Sequence, residues 1–333
     1  MKNDIEAAIG YPIWVYKLVF PFRCGGLVAG VLIFVLVWTV LGLVDGDISV
    51  LLKLFFVSMC AYTVPVFAAI IAKTVEAYDE VVPLLADCDE QDKIARHQFT
   101  HRSGKWFLGV TLLAVLFCVI HLIALEWSYG RNVMSVFSNN QNASAIGASL
   151  VWLLLMTTNY ALVENALLLA KLGRRIKIDL LTNSHHVAIA RVAIVSTLSI
   201  IGAQSLFVLL MIDADANWIS FFPGTVITSG PMFVLFLIPV LPLYRRMRDA
   251  KSTELVAIDA QIRLLRPNAD SALTDLTSIG NLNQLLLYRR EIRQVSEWPF
   301  DVPALIRLAF YLVLPPLTWV AAALIENVVD TVI

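Results

Sequence analysis

Seven stretches of this chain are each about as long as a bilayer is thick and carry almost no charge, which restricts the fold to one class. They run Leu27–Val44, Val50–Lys73, Trp106–Leu125, Leu150–Ala170, Val192–Ile212, Phe222–Leu243 and Val302–Val328. A helix crosses a hydrocarbon core in ~20 residues at ~1.5 Å per residue. Lipid offers no partner for a bare N–H or C=O, so segments this apolar are expected to be helices. Composition agrees: only 15% of the residues are charged, against about 25% in a soluble domain. The expected fold is all-α: a polytopic helical membrane protein with seven transmembrane helices.

Lysine and arginine in the connecting loops set the expected orientation. Lys73, Lys93, Arg96, Arg102 and Lys105 follow the second stretch, Lys171, Arg174, Arg175, Lys177 and Arg191 the fourth, and Arg245, Arg246, Arg248 and Lys251 the sixth. The alternate loops hold Asp45 and Asp47, then Glu126 with Arg131, then Asp213 and Asp215. This asymmetry predicts a cytoplasmic N-terminus and an outer C-terminus. The opening residues, Met1-Lys2-Asn3-Asp4, make no basic leader, and no signal peptide is expected.

The chain divides into four parts. Residues 1–26 hold an aromatic interfacial segment, Tyr11–Phe22; residues 27–243 hold the first six spans. Residues 244–301 read as two helices, a cytoplasmic hairpin stopped at its turn by Arg266-Pro267-Asn268, and residues 302–333 form the last span and the outer end. Leu255, Ile258, Ile262 and Leu265 on the first hairpin helix make a narrow apolar stripe. Leu282, Leu285, Tyr288, Ile292 and Val295 make another on the second, as in a helix pair that buries one seam. Prolines crowd the flanking spans: Pro231, Pro239 and Pro242 in the sixth and Pro315-Pro316 in the seventh. Each removes a backbone donor and clashes with the preceding turn, so both spans are expected to kink or break.

Enzyme chemistry has no foothold. No Gly-x-Ser-x-Gly, phosphate loop or His-Glu-x-x-His is present, and neither an enzymatic activity nor a cofactor is expected. The four cysteines, Cys24, Cys60, Cys88 and Cys118, are too scattered for a disulfide framework or a zinc site. His97 and His101 lie one helical turn apart, but two imidazoles without further ligands do not make a metal site. Basic residues are distributed loop by loop and form no patch for nucleic acid.

Three segments together resemble a widespread prokaryotic family of seven-span membrane proteins. They are Ile178-Asp179-Leu180-Leu181, Pro242-Leu243-Tyr244-Arg245-Arg246-Met247-Arg248, and Tyr288-Arg289-Arg290-Glu291-Ile292 leading to Glu297-Trp298-Pro299-Phe300-Asp301. The resemblance covers most of the chain from Glu76 onward. That family has no established activity, so the likeness implies the topology and a multi-pass place in a bacterial inner membrane, and nothing about chemistry. In layout alone, without shared motifs, the chain is also similar to insect odorant and gustatory receptor channels. There, four subunits meet through cytoplasmic helices and the last span lines a pore. That analogy implies a homo-oligomer, with a tetramer as its form.

Polar residues inside the spans are expensive and therefore informative. Glu164 lies seven residues before Lys171, ~10 Å inside the basic boundary at helical rise. Arg307 lies six residues past Asp301, ~9 Å in from the same side. Equal depth and opposite charge make Glu164–Arg307 the expected intramembrane ion pair, the alternative being an arginine that snorkels and a solvated glutamate. Nearer the other surface, Lys53, His121, Gln204 and Thr228 sit at similar depth on four spans and outline a candidate outer cavity. Separate interhelical hydrogen bonds are the bland alternative.

These features lead to a functional expectation. The foremost is an oligomeric, ion-channel-like or ligand-gated protein taking an unidentified ion or small ligand, with the last span lining a central pathway. Glu326 and Asp330 would ring its mouth, and Trp319 beside the Pro315-Pro316 break would gate it. The alternatives are a secondary transporter with Glu164 as coupling site, and a non-conducting sensor or scaffold acting through the hairpin.

Overall fold

The computed structural model describes residues 10–19, 25–44, 48–85, 96–130, 142–178, 180, 186–212, 218–265 and 276–300, with 306, 308–313, 317, 320, 321 and 324 of the last stretch. Within them the chain is helical almost throughout. In order come strand β1 (Tyr11–Pro12), α1 (Trp14–Val19), α2 (Gly25–Leu43), α3 (Val50–Val81), β2 (His101–Arg102), α4 (Gly104–Ser128), α5 (Asn142–Gly173), α6 (His186–Ser205), the short α7 (Val208–Met211), α8 (Trp218–Leu265) and α9 (Leu276–Gln294). Six helical segments among the described residues are long and apolar enough to cross a membrane: Gly25–Leu43, Val50–Leu84, Gly104–Ser128, Asn142–Gly173, Ala188–Met211 and Ile219–Leu265. The chain is an all-α membrane protein. The seventh expected span lies mostly outside the described residues.

Burial separates core helices from peripheral ones. In the most apolar window, 67% of α5 and 61% of α3 are buried, against 17% of α2 and of α4. Helix α3 packs on α2, α5 and α6, while α8 packs on α5 and α6, so α3, α5, α6 and α8 surround the interior. Phe55, Phe56, Met59, Phe67, Trp152, Leu154, Ile200 and Phe207 fill it in one continuous cluster. The outward faces of α2 and α4, with Leu27, Val31, Val35, Leu108, Leu112 and Leu116 exposed, match a lipid solvent.

Serines start two of these helices. The Ser49 hydroxyl accepts from Leu52 N at 3.1 Å and the Ser103 hydroxyl from Trp106 N at 3.3 Å, each satisfying an orphan donor of the first turn. The ends that carry the basic loops are tied together. Lys177 N donates to Leu84 O at 3.0 Å, and Arg246 donates to Ile176 O at 3.0 Å.

Of the kink or break expected in the sixth span, the break does not occur. Helix α8 runs unbroken for 48 residues through Pro223, Pro231, Pro239 and Pro242, and its far end is the first hairpin helix. One proline costs one ladder bond, and a neighbour can take over the freed carbonyl. At Pro223 the freed acceptor is Ile219 O, and His121 Nε2 lies 3.1 Å from it. The hairpin seam is found within one chain. Ile258 and Ile292 are buried, and Asp259 bonds Arg289 at 2.6 Å, Glu254 bonds Tyr288 at 3.1 Å, and Lys251 donates to Val295 O at 2.8 Å.

Tyr11 and Pro12 do not continue the interfacial helix but pair antiparallel with Arg102 and His101, followed by a bond from Ile13 N to Thr100 O at 2.9 Å. Gly10 makes this possible. Its φ of +71° favours glycine, and a Cβ there would stand 2.5 Å from Arg102 O.

Candidate functional site

The strand pair fixes Arg102 at the basic end of the bundle, with 7% of its side chain exposed. A guanidinium has five N–H donors and stays charged, so burying one demands acceptors on several sides. Nη1 donates to His101 O at 3.0 Å and Nη2 to Asn165 Oδ1 at 2.7 Å. Nε stands 2.7 Å from Glu164 Oε2 but off its own N–H line, so charge rather than an aligned hydrogen bond holds that contact. The Trp106 ring covers the guanidinium at 5.8 Å. Burial lowers the pKa of Arg102 from its ordinary value, and the Glu164 carboxylate opposes that shift. Asn165 closes the circuit, its amide donating to Phe99 O at 3.4 Å.

Glu164 therefore has a cation, and it is Arg102 from the loop before α4. The expected partner Arg307 lies outside the described residues, as do Pro315, Pro316, Trp319, Glu326 and Asp330. The signal that could have found the pairing is Arg102 itself. It sits beside the serine that N-caps α4, where the next apolar helix begins.

Six residues along α5 from Asn165, hence ~9 Å at helical rise, Asn159 lines a cavity of about 40 Å³ between α3, α5, α6 and α8. Tyr62, Thr63, Thr158, Ser199 and Thr228 line it too. Tyr62 reaches Ser199 O at 3.0 Å, because Gly202 has no Cβ where the phenol passes. Thr63 and Asn159 are each 8% exposed, yet the Thr63 hydroxyl has no hydrogen-bond partner, and nothing among the described residues bonds the Asn159 amide. A smaller void of about 10 Å³, lined by Thr74, Asn165 and Ser196, lies next along the same helices and shares Leu162 with the first. The polar groups thus form a line: Thr228 and Asn159, then Ser196 and Asn165, then Arg102 and Glu164.

The expected outer cavity resolves into three separate partnerships. Lys53 Nζ sits 4.4 Å from the Trp38 ring centroid, a cation–π contact on the α2 side. Trp152 Nε1 donates to His121 Nδ1 at 2.9 Å. Nδ1 therefore carries no proton, and Nε2 donates to Ile219 O, so both nitrogens of a neutral imidazole are in use. Gln204 donates to Ser229 at 2.8 Å and to Thr228 at 3.4 Å. Of the four expected residues, only Thr228 reaches the central cavity.

A wide apolar groove lies outside the core between α2 and α3, about 610 Å³ and lined by Gly26, Gly30, Phe34, Ala61 and Pro65. No group of three or more His, Cys, Asp or Glu capable of holding a metal occurs among the described residues. His97 and His101 stack edge to face at 6.0 Å without further ligands. Comparison with known proteins adds no relative: no family model matches the sequence, and no curated protein or solved structure matches it.

Proposed function

We propose that this is a membrane transport protein that moves a small ion or polar solute through its own helix bundle, with Arg102–Glu164 closing the cytoplasmic end. The observation that carries this reading is the line of buried polar side chains and unfilled space along α3, α5, α6 and α8. A bundle that only has to stand in lipid gains nothing from an amide and a hydroxyl that no described residue partners at its centre, and each is costly there. Helices surrounding a polar midplane site, with a charged pair at one mouth, are arranged as transport requires.

In this reading the basic loops face the cytoplasm, seven spans cross a bacterial inner membrane, and the hairpin lies inside. The chain moves its solute within one subunit, whether or not copies associate. That differs from a central pathway along the last span, whose supports (Glu326, Asp330 and the Pro315-Pro316 break) are outside the described residues.

Purified protein in vesicles loaded with sodium- or potassium-sensitive dye tests the proposal, with light scattering for water. Flux above that of empty vesicles is expected, altered by Glu164→Gln and insensitive to Glu326→Gln with Asp330→Asn. Flux that depends only on the latter pair, or no movement of sodium, potassium or water, contradicts it.

A further inference from the structure

The central cavity has a chemical bias that narrows what it can hold. A hydroxyl has one proton, and most of those around this cavity are already committed. Thr158 donates to Leu154 O at 2.7 Å, Ser199 to Val195 O at 2.7 Å, Thr228 to Gly224 O at 2.9 Å and Tyr62 to Ser199 O at 3.0 Å. What these groups can still offer is lone pairs. The donors left are the Asn159 amide and the Thr63 hydroxyl, and the latter offers an oxygen as readily as a proton.

Charge narrows the class further. Among the described residues no lysine, arginine or histidine lines the cavity, so an anion would find only two neutral donor groups there. Among the described residues no carboxylate lines it either, whereas calcium and magnesium sites are built on carboxylates. Neutral oxygens replacing a hydration shell suit a monovalent cation. The volume, about 40 Å³, compares with roughly 10–15 Å³ for one water position. It admits an ion with one or two waters and excludes an organic solute.

We infer that the cavity lined by Thr63, Thr158, Asn159, Ser199 and Thr228 is a binding site for one alkali-metal cation. Asn159 Oδ1 and Thr63 Oγ1 supply the ligands that the fold otherwise leaves unused. The inference rests on the transport reading and names the solute class of its central site. Binding at equilibrium is separable from movement: bound cation without flux keeps the site and removes the transport reading, and flux without bound cation does the reverse.

The test is a melting series in detergent, in NaCl, KCl and N-methylglucamine chloride at equal ionic strength. A ligand that binds only the folded state raises the melting temperature, and the rise grows with concentration. Sodium or potassium should raise it above the N-methylglucamine value, and Asn159→Leu and Thr63→Val should each weaken apparent affinity at least fivefold. Thr63→Ser keeps the oxygen and should keep the response. In N-methylglucamine, Asn159→Leu should melt at or above wild type, which separates lost binding from a damaged fold. Equal melting in all three salts, or a cation response unchanged in Asn159→Leu and Thr63→Val, overturns the site.

Discussion

Two groups of buried polar side chains share this bundle and differ in whether they complete each other. At the acidic end, His121, Trp152 and the Ile219 carbonyl form a closed set: each ring nitrogen has its partner, and the proline that freed the carbonyl lies four residues on. In the middle, Asn159 and Thr63 face space. Both groups are polar side chains on apolar helices, and hydropathy does not separate them. The first fastens α4, α5 and α8 together, whereas the second weakens the bundle where it stands. Within a membrane, unspent hydrogen-bonding capacity is therefore a better mark of function than polarity alone.

The contrast predicts opposite responses to substitution. The largest loss should come at the basic end, where Glu164→Gln strands a buried guanidinium. Breaking a buried pair costs about 3–5 kcal/mol, and because Glu164 is about a third exposed the lower figure is expected. Arg102→Leu with Glu164→Leu should recover most of it, and additive losses in a melting series would rule the coupling out. Next comes Trp152→Phe, which leaves His121 Nδ1 buried without its donor. It should cost about 1–3 kcal/mol and leave flux unchanged, and lost flux with an intact fold would place the closed set on the pathway.

Asn159→Leu should shift stability by no more than about 1 kcal/mol, toward the stable side, since it removes an amide that no described residue partners. Flux should vanish with it. A loss comparable to Trp152→Phe would mean that Asn159 is structural glue like the rest. The smallest effect concerns His101, next to the Arg102–Glu164 pair. Burial and then the neighbouring His97 hold its pKa below the ordinary imidazole value, with Lys17 adding to the shift. A proton is thus taken up more readily by the unfolded chain, so this contribution to stability is present at neutral pH. It is lost as pH falls below about 6.5, the unfolded value. His101→Gln should remove that slice of the acid sensitivity, and an unchanged melting profile between neutral and acid pH would rule it out.

Much of the fold was legible because membrane helices obey few rules. Length and hydropathy located six spans, and three-four spacing placed Ile258 and Ile292 in the hairpin seam. Depth and charge singled out Glu164. Its partner was not legible, because Arg102 reaches the site through a two-residue strand pair that depends on Gly10, a contact between segments some 90 residues apart in sequence. Pro231, Pro239 and Pro242, expected to interrupt the sixth span, stand inside a continuous α8. So does Pro223, whose freed Ile219 O meets His121 from another helix. Asn159 and Asn165 were readable in α5 as amides inside a span. What separated them was a partner: Asn165 meets Arg102, while Asn159 meets a cavity.

The central claim is that a small cation reaches the middle of this bundle, and silver ion, a thiol-reactive monovalent cation, tests it most directly. In a chain whose Cys24, Cys60, Cys88 and Cys118 are replaced by alanine, Asn159→Cys is compared with Ala161→Cys, a fully buried position that does not line the cavity. Silver modification is read as protection from a fluorescent maleimide after unfolding. The account predicts rapid modification at position 159 and little at 161. Equal, slow reaction at both positions would contradict it.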